Sequence, residues 1–123
     1  MLHHISFPVL NLENSAKIYD AALAALGFRR VWTVSDAIGY GLEAGKDKFA
    51  IKKMENVSAA SEGFHLAFQA HSREGVQEFH QAAIQNGAID NGAPGLRTHY
   101  GPRYYAAFII DPDGHRVEAV YNG

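Results

Sequence analysis

The chain has 123 residues, 47% of them apolar and 20% charged, with a formal net charge of −2. That suffices for a single domain with its own core, and the scattered Lys and Arg form no basic run that would suit a nucleic acid. The absence of cysteine excludes disulfides, thiolate nucleophiles and Cys-based zinc sites and suits a reducing cytoplasm, leaving seven histidines and the carboxylates as the available metal ligands.

The opening MLHHISFPVLN alternates from the start, with Ile5, Phe7 and Val9 on one phase. It reads as a strand and leaves no room for the charged and apolar regions of a secretory signal. After the turn-like NLEN comes SAKIYDAALAALG, in which Tyr19, Ala22, Leu23 and Leu26 fall at helical spacing and Gly27 sits where a helix ends. Three short strand-like stretches follow, FRRVWTV, AIGYGLEA and KFAIKKM, separated by Ser-Asp and Gly-Lys-Asp turns. The small, polar NVSAASEG reads as a connection. FHLAFQA is then a strand carrying Phe64, Leu66 and Phe68 on one phase. SREGVQEFHQAAIQNG is a helix with Ser72 as its N-cap and Val76, Phe79, Ala83 and Ile84 inward. AIDNGAPGLR reads as a short strand and a Gly/Pro-rich loop. RYYAAFII and HRVEAVY are strands joined by DPDG, a type I turn in which Pro presets φ and Gly takes the left-handed position. Apolar runs such as YYAAFII are far shorter than the ~18 residues a membrane span requires.

The order strand, helix, three strands occurs twice. A shift of 61 residues lays His4-Ile5-Ser6-Phe7 on His65-Leu66-Ala67-Phe68 and Ala22-Leu23 on Ala83-Ile84, which marks an internal duplication. The expected fold is α+β: one domain over residues 1–123, built from two βαβββ modules at about 1–56 and 63–123. Side chains alternate between the faces of a strand, so the phases covered by the helices leave His4, Ser6, His65 and Glu118 on the opposite face. If the sheet curls, that face becomes a cavity. Two imidazoles and a carboxylate gathered there have a divalent cation as their natural common partner, leaving about three positions of an octahedral ion open. A histidine on a strand, taken singly, is more often a surface or satisfied core residue. The shared phase in two modules and the added carboxylate are what favour a metal.

Three stretches, HHISFPVLNLENSAKIYDAALAALGF, FHLAFQAHSREGVQEFHQAAIQNGA and YYAAFIIDPDGHRVEAVY, together resemble the vicinal oxygen chelate superfamily of glyoxalases, bleomycin-resistance proteins and extradiol dioxygenases. The closing pattern, an apolar strand followed by DPDG and a glutamate four residues on, is the most specific. The resemblance implies a cupped mixed sheet with helices on its outside, a homodimer, a small-molecule substrate and a metal at His4, His65 and Glu118. The ion would be Mn, Fe, Co, Ni, Mg or Zn. Glyoxalase I type enzymes add a glutamate from the last strand of the first module, where Lys52 or Lys53 stands nearest here; this argues against a lactoylglutathione lyase. The three-ligand set is similar to those of fosfomycin-modifying transferases and extradiol dioxygenases, although the potassium loop of the former and an alignable His/Tyr pair of the latter are missing.

Around this triad, Arg103, Tyr104, Tyr105, Tyr40 and Ser6 are the candidate substrate contacts, with Trp32 a further lining residue. Arg97, His99 and Tyr100 belong to a loop suited to a rim. His115 is expected to be exposed. Glu118 is the candidate catalytic residue, able to act as a base only by leaving the metal. The leading expectation is a cytoplasmic metal-dependent lyase, transferase or dioxygenase whose substrate chelates the ion through two neighbouring oxygens. The alternatives are a non-catalytic drug- or aromatic-binding protein of the same fold and a dimeric scaffold with a vestigial triad.

Overall fold

A computed structural model describes residues 1–123. Its elements are β1 (Ile5–Val9), α1 (Leu12–Ala24), β2 (Arg29–Val34), β3 (Ala37–Gly41), β4 (Asp47–Lys53), β5 (Leu66–Gln69), α2 (Arg73–Gln85), β6 (Ile89–Leu96), β7 (Tyr105–Ile110) and β8 (Arg116–Tyr121). The βαβββ order is thus present twice. Each module forms its own four-stranded mixed sheet, in the orders β1-β4-β3-β2 and β5-β8-β7-β6. The first strand of each module lies parallel to its last, and the other neighbours are antiparallel. This is the expected α+β architecture, two mixed sheets whose helix-side faces share one core.

Both helices are set by local chemistry. The side chain of Asn11 accepts the backbone N–H of Asn14, and Ser72 Oγ accepts that of Gly75, so each module starts its helix with a side-chain cap. Each ends it the same way. Gly27 at φ 89° and Gly87 at φ 112° turn the chain, letting Phe28 N–H reach Leu23 O and Ala88 N–H reach Ala83 O, both at 3.0 Å.

The apolar phases of the strands meet the helices in one core cluster that draws on both modules. Phe49 is its hub: its ring lies 5.1 Å from Phe7, 5.1 Å from Tyr19 and 5.3 Å, edge-on, from Phe68 of the second module. The Asp111–Gly114 turn adds a polar clasp. Gly114, at φ 88°, donates its N–H to Asp111 O, while Asp111 Oδ1 accepts the N–H groups of Asp113 and His115. Asp111 Oδ2 accepts the Tyr19 hydroxyl of α1 at 2.7 Å, and Asp113 Oδ1 accepts Leu10 N–H at 3.0 Å. The turn of the second module is thereby docked on the corner between β1 and α1. Burial raises the Asp111 carboxyl above its ordinary range against the opposing effect of these donors, and burial together with Asp111 raises the Tyr19 hydroxyl.

Four expectations require correction. His115 is buried, stacked on Phe7 at 4.5 Å with Nε2–H donating to Pro8 O at 2.7 Å, because the turn folds against β1. Phe64 precedes β5 in a turn and is exposed. Ile84 lies on the solvent side of α2, and the buried stripe runs through Val76, Phe79 and Ala83. The Gly/Pro-rich stretch continues strand β6 to Leu96, because register shifts between Asp90 and Gly92 and between Gly92 and Gly95 absorb the irregular residues.

Tyr19→Phe removes one of three donors from a buried carboxylate and cuts the clasp between modules. It is expected to destabilise the fold by about 1–3 kcal/mol, read as a lower urea midpoint with an unchanged m-value.

Candidate functional site

The helices cover one face of each sheet and leave the other open. Strand register fixes what stands on the open faces. In the first module a row crosses the sheet as Ser6, Ala50, Gly39 and Trp32. In the second the corresponding row is Ala67, Glu118, Phe108 and Gly92. Each row contains an aromatic ring over a glycine. A Cβ on Gly39 would lie 2.1 Å from Trp32 Nε1, and one on Gly92 would lie 2.9 Å from Phe108 Cδ1. The rows differ at the parallel strand pair, where Ala50 stands in the first module and Glu118 in the second. The register therefore matches Glu118 to Ala50, not to Lys52 or Lys53, and the first module supplies no fourth carboxylate at that place.

Glu118 is only 1% exposed, yet it sits on the open face. Its burial is achieved by partners: Oε1 lies 2.8 Å from His65 Nε2, and Oε2 accepts the Tyr104 hydroxyl in a short hydrogen bond. His65, just before β5, reaches Glu118 because β5 runs parallel beside β8. Tyr104 comes from the other side, at the mouth of β7. It belongs to a closed loop in which Arg97 N–H donates to Tyr104 O, Tyr100 N–H to Arg97 O and Tyr104 N–H to Gly101 O. Its ring packs 5.3 Å from Tyr100, which itself lies 4.1 Å from His99. Partial burial and the bond to Glu118 push the Tyr104 hydroxyl up to about 12, so it remains a proton donor throughout the physiological range.

Two depressions flank Glu118. One, of about 440 Å³, is lined by Glu62, His65, Asn91, Tyr100, Phe108 and Arg116. The other, of about 330 Å³, is lined by Ala67, Gln69, Tyr104, Val120 and the segment Tyr121–Gly123.

The chain brings together His65, Glu118 and Tyr104 but not His4. His4 is exposed ahead of β1, with Nδ1 2.8 Å from His3 Nδ1, beside a small depression shared with Lys48, Leu66 and Phe68. Leu66 and Phe68 occupy the helix-side phase of β5, opposite to that of His65. Accordingly, no group of three His, Asp or Glu side chains able to hold a metal occurs within one chain. Ser6 lies on the open face of the first sheet opposite Ala50, as alternation requires.

Two proposed substrate contacts point elsewhere. Tyr40 faces the core, and its hydroxyl donates to Asp20 at 2.7 Å, because it pairs across β3 and β4 with buried Phe49. Tyr105 turns toward α2, where its hydroxyl accepts Gln77 Nε2 at 2.8 Å and the Arg73 guanidinium lies 5.0 Å over its ring. Arg103 is exposed on the turn before β7. Phe108 and Asn91 were not singled out from the sequence. Phe108 could have been, since it shares the phase of Tyr104 along β7; Asn91 could not, since it lies at an irregular register of β6.

A model of the Glyoxalase/Bleomycin resistance protein/Dioxygenase superfamily matches residues 1–119. The chain belongs to this superfamily. None of the curated proteins matches it. Among solved structures, a glyoxalase/bleomycin resistance protein from Albidiferax ferrireducens is 30% identical with a TM-score of 0.86, covering 100% of this chain and 99% of that one. A glyoxalase-related enzyme from Fulvimarina pelagi is similar at 20% identity and a TM-score of 0.76, over 99% and 88% of the two chains. The fosfomycin resistance protein FosX from Mesorhizobium loti matches at 20% identity and a TM-score of 0.72, over 100% and 92%. At 20% identity the latter two establish the shared fold alone.

The raised hydroxyl of Tyr104 gives a signed pH dependence. The folded state holds this proton more tightly than the unfolded chain, whose tyrosine titrates near 10.0. The contribution is therefore complete below about pH 10 and is lost as pH rises toward about 12. Denaturation of wild type and Tyr104→Phe across this range should show a constant stability difference up to about pH 10, then convergence.

Proposed function

We propose that this superfamily member is a metal-dependent enzyme acting on a small substrate with two neighbouring oxygens, and that each site is completed by two chains. His65 and Glu118 of one chain would hold a divalent ion together with His4 from the first module of a second chain. The observation supporting this reading is the 2.8 Å approach of His65 Nε2 to Glu118 Oε1 at the floor of an open face. Neighbouring ligand atoms on an octahedral ion with bonds of roughly 2.1 Å stand about 3 Å apart, so the pair is already at that spacing. The fit within one chain stops at two ligands. A twofold homodimer that sets the first module of each chain against the second of the other would supply the third without refolding.

A divalent ion bound there would act as a Lewis acid on the substrate oxygens. The chain's own residues set the surroundings. Tyr104 holds Glu118 Oε2, which leaves Oε1 as the oxygen facing His65 and the open face. The wall formed by Phe108 limits water on one side and orients the His65 ring, whose centroid lies 6.3 Å from its own. Ala50 offers no fourth donor in the place of a carboxylate, which counts against a glyoxalase I activity and leaves positions for substrate.

One observation favours a second reading, a binding protein without chemistry. Both oxygens of Glu118 already have partners inside the chain, so its burial requires no ion.

Metal titration of the untagged protein decides between them. The expected result is tight, stoichiometric binding that is lost in His65→Ala and in Glu118→Gln. Mixing unfolded His4→Ala and Glu118→Ala chains and refolding them together should restore about a quarter of the wild-type sites, through heterodimers with one intact site each. No restoration after confirmed heterodimer formation would rule out the shared site, and no metal uptake by wild type would leave the binding-protein reading.

A further inference from the structure

We infer that the depression between His65 and Arg116 is an anion subsite, so that the ligand of this face carries a carboxylate or phosphoryl group on a flat apolar body. The inference rests on the site proposed above, sharing His65 and Phe108 with it, and adds Arg116 and Arg97.

The two depressions beside Glu118 differ in charge. The one bounded by Gln69, Tyr104 and Val120 has no Asp, Glu, Lys or Arg side chain in its lining. The other has Arg116 in its wall, with the Asn91 amide beside it. Arg116 stands two residues before Glu118 on β8 and so shares its face. Its guanidinium enters no ion pair: those of the chain are Arg30–Asp20, Lys46–Glu43, His65–Glu118 and His80–Asp90. A second unpaired guanidinium, that of Arg97, lies 5.4 Å over the ring of Phe108, the apolar wall of the same depression. Two carbonyls, Gly95 O at 2.9 Å and Ala93 O at 2.7 Å, hold it there. Carbonyl dipoles fix a guanidinium in place without cancelling its formal charge. The opposing carboxylate in the lining, Glu62, is on the exposed connection between modules and pairs with neither arginine.

A planar guanidinium at the edge of a mostly polar recess binds an oxyanion through two parallel N–H donors, and Phe108 and Tyr100 offer ring faces to whatever the anion is attached to. His65 Nε2 opens at the other end. A ligand seated by its anion on Arg116 would therefore direct its opposite end toward Glu118.

Three probes of similar shape test this: phenylphosphonate, benzoate and the neutral benzyl alcohol, each titrated into the folded full-length protein by NMR. The wild type should bind at least one anion more tightly than the alcohol, and the tighter of the two names the group. Arg116→Gln should weaken that anion by about 10- to 100-fold, the worth of a charge-assisted hydrogen bond, while changing the alcohol less than about twofold. Phe108→Ala should weaken all three. Equal affinity for anion and alcohol in wild type, or equal loss of both in Arg116→Gln, would overturn the inference. Repeating the titration without metal separates it from the enzyme reading: Arg116-dependent anion binding in a protein that takes up no metal leaves the subsite standing and removes the metal, and metal uptake without anion preference does the reverse.

Discussion

The parallel register of β5 along β8 sets where the chemistry of this molecule collects. It places Ala67 opposite Glu118, which brings His65 within 2.8 Å of the carboxylate and keeps Leu66 and Phe68 on the covered side. A slip of one residue would turn Glu118 into the core and send Val117 and Ala119 outward, so burial of the apolar phase enforces the polar arrangement. The short strand alone would hold this register weakly. The Asp111–Gly114 turn, clasped to α1 through Tyr19, fixes the end of β8 from outside the sheet.

The duplicated modules have diverged in an informative way. Both keep the capped helix, the glycine that ends it and an aromatic ring seated on a glycine across the open face. They part at the central position, a methyl group at Ala50 and a carboxylate at Glu118. The second sheet therefore carries the His65–Glu118 pair and the two depressions beside it, while the open face of the first carries Lys52 in the phase of Ala50. A pseudo-symmetric scaffold thus carries its buried carboxylate in the second module only.

Much of this was legible from alternation alone. The strands, both helices, the duplication, and the shared phase of His65 and Glu118 follow from period-2 and period-3.6 spacing. Ser72 and Gly27 were legible as helix ends, whereas α1 begins at Leu12 within the turn-like NLEN, capped by Asn11. Alternation failed where a strand's phase had no fixed origin. Tyr40 lies in a strand whose five residues are all buried, so nothing in the local pattern distinguishes its faces. Tyr105 and Tyr104 are adjacent aromatics, and only the pairing of β7 with β8 decides which of them meets Glu118. His115 follows a turn, where exposure is the ordinary outcome, and its burial depends on a stacking partner 108 residues earlier in the chain, Phe7. His4 has the open-face phase in sequence, yet it lies ahead of β1 beside His3, away from Glu118, because phase alone does not set how the two modules meet.

Trp32, resting on Gly39, is the sole tryptophan of the protein. The indole therefore forms a built-in optical reporter confined to the first of the two sheets, far in sequence from the ionisable centre. Light emitted from it registers whatever comes to lie against that surface, a neighbouring subunit included, without interference from any other indole.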